Sequence, residues 1–224
     1  MKSEPPRRPV VILISGRGSN MRALIEQSRH PGAAYSVCKV FSDKPDAPGL
    51  DLARGLGVPA EALAAAEAAD RAAYDRVLAA AIDDCSPSLI VLAGFMRILS
   101  AQFVTRFAGK ILNIHPSLLP KFPGLHTHRR ALEAHEPEHG ATVHFVTERL
   151  DSGPPVIQAR VAVTAEDDEA SLAARVQALE HRIYPLAVRW FCEGRLRYGD
   201  GQTWLDGRLL REPVLFTGAE PQEA

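Results

Sequence analysis

The sequence predicts an α/β fold: a doubly wound, mostly parallel Rossmann-like sheet, with a small β hairpin near its C-terminal end. Three observations predict it. Unbroken runs of β-branched and aliphatic residues recur, as strands buried on both faces require. Segments with apolar residues at helical spacing stand between them, and that alternation implies a parallel sheet with helices on its faces. The first run passes directly into a glycine-rich turn, Ser15-Gly16-Arg17-Gly18-Ser19-Asn20.

Val10 to Ile14 opens the alternation as a buried strand, and a helix is expected from about Asn20. Val37 to Phe41 reads as the second strand, and Pro48 to Leu56 as a helix closed by Gly57, with Pro59 beyond it. The Ala-rich stretch from Ala60 to Ala73 reads as a surface loop and a helix start. From Asp70, a good N-cap, Tyr74, Val77, Leu78, Ala81 and Ile82 recur at helical spacing until Pro87. Leu89 to Ala93 is another buried strand, ended by Gly94. A short helix from about Ser100 leads to a strand at Ile111 to Ile114, after which Pro116 and Pro120 force a loop. Ala141 to Thr147 alternates like a half-buried strand, and Val156 to Val163 forms another. Leu172, Val176, Leu179 and Ile183 mark a long final helix. Arg195 to Leu210 reads as a small hairpin, with Asp206-Gly207 as a candidate second turn.

A length of 224 residues with 46% hydrophobic content supports one domain, expected over residues 10–217, with loose tails at 1–9 and 218–224. A formal net charge of -1 supplies no basic field for a phosphate backbone, so no nucleic-acid partner is expected. Cys38, Cys85 and Cys192 are far apart and outside any Cys-x-x-Cys spacing, which suggests neither a disulfide framework nor a zinc site. The run Val10 to Ile14 is too short for a signal-peptide core or a membrane span, and a cytoplasmic protein is expected.

Gly16-x-Gly18 followed by Ser19 and Asn20 supplies backbone N–H donors, small polar side chains and the positive end of a helix dipole, which together suit an anion. Met21 stands where a dinucleotide fingerprint needs its third glycine, and no Lys-Ser/Thr pair makes a Walker loop, so a single phosphate fits better. Read alone, the motif equally fits a tight strand-to-helix turn that holds nothing.

Asn113-Ile114-His115 ends a strand, and the two-residue period places both polar side chains on one face. An amide and an imidazole converging there can stabilise an oxyanion, and His115 can act as acid or base near neutral pH. The pair alone also reads as one that hydrogen-bonds the proline-rich loop and does nothing else. Asp151, in Leu150-Asp151-Ser152-Gly153-Pro154, reads alone as a turn residue. If it meets His115, its carboxylate favours the imidazolium. His126, His128, His139 and His144 read as structural or solvated, with His126 at the border of the site, because no spacing among them resembles a zinc motif. Neither a Gly-x-Ser-x-Gly elbow nor a nucleophilic cysteine setting occurs, which favours direct transfer between bound substrates.

Four segments together are more specific: Ile14 to Asn20, Leu92-Ala93-Gly94-Phe95-Met96-Arg97-Ile98-Leu99, Asn113 to Pro120, and His144-Phe145-Val146 leading to Asp151-Ser152-Gly153-Pro154. From about Val10 to Leu210 the chain resembles the phosphoribosylglycinamide formyltransferases, a folate-dependent family of purine biosynthesis. The resemblance implies that Gly18, Ser19 and Asn20 hold the ribonucleotide phosphate and that Gln177 and Glu180 bind the rest of that substrate. It implies a folate site along Arg71, Met96, Arg97, Ile98, Leu99, Asn113, Thr147, Glu148, Arg149, Leu150 and Asp151. It also implies Asn113, His115 and Asp151 as the catalytic set, 10-formyltetrahydrofolate as co-substrate, no metal, and a monomer or homodimer. Ser152, Pro154-Pro155 and His135-Glu136 depart from the family pattern. The related methionyl-tRNA formyltransferases carry an added C-terminal RNA-binding domain, for which about 200 matching residues leave no room, and a formyltetrahydrofolate deformylase is expected to have an N-terminal regulatory domain and a different phosphate-loop sequence.

Overall fold

Residues 6–64 and 69–218 are described by a computed structural model of the protein. Its strands are β1 (Arg8–Ile14), β2 (Tyr35–Ser42), β3 (Ala60–Ala62), β4 (Leu89–Leu92), β5 (Ile111–His115), β6 (Glu138–Phe145), β7 (Pro155–Ala162), β8 (Leu196–Gly199), β9 (Gln202–Leu205), β10 (Arg208–Leu209) and β11 (Val214–Phe216). Its helices are α1 (Ser19–Gln27), α2 (Pro48–Gly55), α3 (Arg71–Asp83), α4 (Ala101–Arg106), α5 (Thr127–Glu133) and α6 (Glu169–Cys192). Among the described residues, eight strands form one sheet in the order β11-β7-β6-β5-β4-β1-β2-β3, and β10-β9-β8 form a second.

Strands β1 to β5 pair in parallel, β6 runs antiparallel between β5 and β7, and β11 lies parallel to β7. The alternation along β1 shows why the sheet is doubly wound. Val10, Ile12 and Ile14 face a core shared with Met21, Leu24 and Ile25 of α1 and with Leu172, Val176 and Ile183 of α6. Val11 and Leu13 face the opposite core, with Tyr74, Leu78 and Ile82 of α3 and Phe103 and Val104 of α4. Each such fully buried aliphatic side chain contributes roughly 1.5–3 kcal/mol. Because β1 lies between β2 and β4, the strand order reverses there, and the crevice at the carboxyl ends of β1, β4 and β5 is where a ligand belongs.

The sheet extends beyond the expected strands in several places. β1 begins at Arg8 rather than Val10, because Arg8 pairs with Tyr35 and its N–H reaches the Ala34 carbonyl at 2.9 Å; Arg8 and Pro9 are therefore not tail. Ala60–Ala62, read as surface loop, is the edge strand β3, recruited by its ladder to Val40, Phe41 and Ser42 despite the weak β preference of alanine. Val214–Phe216 adds β11 on the other edge, and three residues are too few to show a period. β6 starts three residues before Ala141 and ends at Phe145, where the chain turns away into the Thr147–Asp151 loop. Of the rest of the expected tails, residues 1–5 and 219–224 lie outside the described residues, as does 65–68 of the Ala-rich stretch.

The small sheet follows the hairpin expectation and adds a third strand. Its two turns, Asp200-Gly201 and Asp206-Gly207, place both residues at positive φ (52°, 73° and 51°, 75°). That left-handed pair matches the twist of tight hairpins. Asp168 caps α6 through a reciprocal capping box with Ser171. Farther along α6, the Tyr184 hydroxyl reaches the Leu92 carbonyl at 3.0 Å and the Leu112 carbonyl at 2.9 Å, tying the helix to the two strands that carry the crevice.

Candidate active site

The glycine-rich turn meets the middle of α6. Gly18 precedes α1 with φ 76°, a conformation that favours glycine. Asn20 Nδ2 donates to Glu180 Oε2 at 2.8 Å, and Gln177 Nε2 donates to Ser19 Oγ at 3.1 Å. The five residues expected to bind the ribonucleotide thus gather across about 160 residues of chain. Asn20 Oδ1 is buried without a protein partner. Burial pushes the Glu180 carboxyl above its usual range, and the Asn20 hydrogen bond opposes that rise. Gly49, at the start of α2, closes the turn from behind by donating to the Gly16 carbonyl at 3.0 Å.

Beyond the ends of β4 and β5 lies a cavity of about 470 Å³. Met96 to Leu99 form one wall and Thr147 to Asp151 another, with Asn113 and His115 at its head. Of the residues expected along the folate, Arg71 alone does not line it; Arg71 sits at the first position of α3. Met96 (66% exposed), Ile98, Leu125 and Leu150 present apolar side chains to solvent around this cavity. Such a concentration of exposed apolar surface marks a place where a ligand or partner binds. The guanidinium of Arg97 stacks over the Tyr74 ring, 4.5 Å from its centroid.

At the head of the cavity the three polar residues converge. His115, 6% exposed, has its Nδ1 3.5 Å from Asp151 Oδ2 and its Nε2 donating to the Phe122 carbonyl at 2.9 Å. The Nε2–H thus meets a carbonyl, and Nδ1 faces the Asp151 carboxylate. Asp151 Oδ2 also accepts from the Gly124 N–H at 2.8 Å. Asp151 itself has φ 47°, strained for most residues and tolerated best by Asn and Asp, as recurs at functional sites.

One participant reads from sequence alone as structural. His144 stands directly opposite Asn113 in the β5–β6 ladder, 2% exposed, with its Nε2 3.1 Å from Asn113 Nδ2. Its Nδ1 lies 2.9 Å from the Phe145 carbonyl, which can only accept, so Nδ1 carries the proton and Nε2 is the acceptor. Burial pushes the His144 pKa down, in keeping with that neutral tautomer. The amide NH₂ of Asn113 is therefore the group that faces His144, and its second N–H is left for the cavity. The cross-strand register was the missing signal, because His144 is 31 residues from Asn113 in sequence.

Behind the proline-rich loop, His139 (1% exposed) places Nε2 3.1 Å from His128 Nδ1. Burial, followed by the neighbouring His128, pushes the His139 pKa down to about 4. Among the described residues no group of three or more His, Cys, Asp or Glu is placed to hold a metal ion, and no helix is long and apolar enough to cross a membrane.

Comparison with known proteins gives the family of the chain. Residues 8–188 match the formyl transferase family model. The chain is 53% identical over 201 residues to a phosphoribosylglycinamide formyltransferase of Escherichia coli K12, covering 90% of this chain and 95% of that one. It is 40% identical to the human trifunctional purine biosynthetic protein adenosine-3 over 88% of this chain, which spans 20% of that longer protein. Its fold superposes on the phosphoribosylglycinamide formyltransferase structure from Coxiella burnetii with a TM-score of 0.90 at 45% identity, over 94% of this chain and all of that one. A formyltetrahydrofolate deformylase structure from Pseudomonas putida is also similar, at 28% identity, a TM-score of 0.80 and 70% of that longer chain. The chain belongs to the phosphoribosylglycinamide formyltransferases of the formyl transferase family.

Proposed function

We propose that the protein moves the formyl group of 10-formyltetrahydrofolate to the amine of glycinamide ribonucleotide, with Asn113, His115 and Asp151 as its catalytic set. The observation that carries the reading is the convergence of these three side chains at the head of an apolar-rimmed cavity. The turn at Gly18 to Asn20 would hold the ribonucleotide phosphate on α1, with Gln177 and Glu180 toward its ribose and glycinamide. Met96 to Leu99 and Thr147 to Asp151 would enclose the folate, with backbone groups of Arg97 and Leu99 against the pterin edge. The rest of the reading is a single catalytic domain over residues 10–217, to which Arg8 and Pro9 of β1 are joined, working in the cytoplasm as a monomer or homodimer without metal or nucleic acid.

As the neutral amine adds to the formyl carbon, the carbonyl oxygen gains charge. The free N–H of Asn113, set by His144, and a protonated His115 would meet that oxygen, while Asp151 keeps His115 charged and oriented. In the structure the Phe122 carbonyl holds the Nε2 proton of His115. The reading therefore requires the Lys121–Gly124 segment to yield that proton to the substrate oxygen. Collapse of the intermediate breaks the bond to the folate nitrogen, which takes up the proton lost by the amine.

The test mixes the protein with both substrates and follows tetrahydrofolate. Formate released without the ribonucleotide would identify a hydrolase instead, the activity of the similar deformylase. A folded sample that binds the ribonucleotide and transfers nothing would identify a binding module.

A further inference from the structure

We infer that Asp75 is a positioning residue that sets folate recognition without touching the folate. The inference rests on the formyl-transfer reading, and it concerns how the Met96–Leu99 wall keeps its shape.

That wall is irregular backbone, with no sheet or helix ladder to fix its N–H groups. Three contacts from outside hold it. At its start, the Met96 N–H donates to Ser15 Oγ at 2.8 Å, from a side chain 6% exposed at the end of β1. In its middle, the Arg97 guanidinium lies over the ring of Tyr74 in α3. At its end, the Ser100 N–H donates to Asp75 Oδ2 at 2.6 Å.

Asp75 is 3% exposed, a carboxylate buried on a helix whose other inward residues, Tyr74, Leu78 and Ile82, are apolar packing. Burying a carboxylate is costly unless it is hydrogen-bonded, and a short bond from a backbone N–H is among the stronger compensations. A leucine there would serve packing alone; a carboxylate aimed at Ser100 serves the wall. Tyr74 and Asp75 are consecutive, so one turn of α3 holds both Arg97 and the N–H of Ser100, the residue that follows the wall and caps α4. Removing the carboxylate leaves the Ser100 N–H without its partner and frees the Met96–Leu99 backbone to move. The ribonucleotide turn, anchored by α1, α2 and α6, loses nothing.

The experiment compares wild type, Asp75→Ala, Asp75→Asn and Ser15→Ala in steady-state assays that vary each substrate at saturating levels of the other, with tetrahydrofolate binding measured by calorimetry. Asp75→Ala is expected to raise the KM for the formyl folate and the Kd for tetrahydrofolate by about 10-fold or more, as for loss of a hydrogen bond to a charged group. The KM for the ribonucleotide stays within about two-fold. Asp75→Asn, whose amide oxygen still accepts, recovers most of the loss, and Ser15→Ala reproduces the folate-selective defect from the other end. Equal rises in both KM values, or unchanged folate KM and Kd in folded Asp75→Ala, overturn the inference. If Asp75→Ala does not fold, a folded Ser15→Ala and Asp75→Asn with equal, wild-type folate parameters overturn it. A wild-type protein that makes no tetrahydrofolate sinks the formyl-transfer reading itself; wild-type turnover with no folate-selective defect sinks only the role of Asp75.

Discussion

Replacing Asp151 by asparagine removes one charge from the head of the cavity and leaves the shape in place. Asparagine tolerates the φ of 47° that Asp151 adopts, and its amide oxygen can still accept from the Gly124 N–H. The interaction lost is the one with His115, whose Nδ1 lies 3.5 Å away between side chains only 8% and 6% exposed. For unit charges at that separation, Coulomb's law with an effective permittivity near 20 gives about 5 kcal/mol. Desolvation of the pair offsets a large part of that, leaving an interaction of roughly 2–3 kcal/mol between the carboxylate and the ring. That interaction is needed most when the oxyanion forms, so kcat is expected to fall roughly 10²-fold, while the melting temperature falls by up to roughly 10 °C. Initial rates of tetrahydrofolate formation at saturating substrates, beside a thermal melt, read both. Wild-type turnover in a folded Asp151→Asn would refute the role assigned to the carboxylate.

Three further outcomes follow from the packing. An alanine at Gly49 places its Cβ 2.5 Å from Ile14 Cδ1 and 2.7 Å from the Gly16 carbonyl, so the turn must shift; Gly49→Ala should cost about 1–3 kcal/mol and raise the ribonucleotide KM more than the folate KM, and equal KM values would contradict this. Below about pH 6.5 the unfolded chain protonates His139 while the folded chain resists until about pH 4, so stability should be fully present above pH 6.5 and fall as pH drops, by roughly 2–3 kcal/mol. Denaturant melts of wild type and His139→Gln between pH 4 and 7.5 check the sign, since the variant should lose part of that slope. Tyr184→Phe deprives the Leu92 and Leu112 carbonyls of their shared donor and should cost about 1–2 kcal/mol in chemical denaturation, with no change in either KM.

Much of this architecture was legible because β1 states it in five residues. Val10 to Ile14 is apolar at every position, as a strand covered on both faces must be, and the glycine turn after it fixes the parallel βα rhythm. Strands made by pairing rather than by pattern were not legible. Ala60–Ala62 and Val214–Phe216 are too short for a period, and only their partners make them strands. The site divides in the same way. Asn113 and His115 could be placed on one face from local geometry, whereas Asp151 joined them only through the family resemblance, since nothing local brings residues 115 and 151 together. His144 carries no local signal, because its meaning lies in an antiparallel register between distant segments. Asp75 gave no local signal either: a carboxylate in a helix ordinarily faces water, and only its burial against Ser100 sets it apart.

The central claim is that Asn113, His115 and Asp151 together turn a formyl transferase fold into a working transferase. The measurement closest to it is tetrahydrofolate released from 10-formyltetrahydrofolate, with and without glycinamide ribonucleotide, by wild type and by Asn113→Ala. Wild type should form tetrahydrofolate only when the ribonucleotide is present, and Asn113→Ala, folded and still able to bind the ribonucleotide, should be slower by roughly 10²–10³-fold. Release that ignores the ribonucleotide, or an Asn113→Ala rate equal to wild type, would contradict the account.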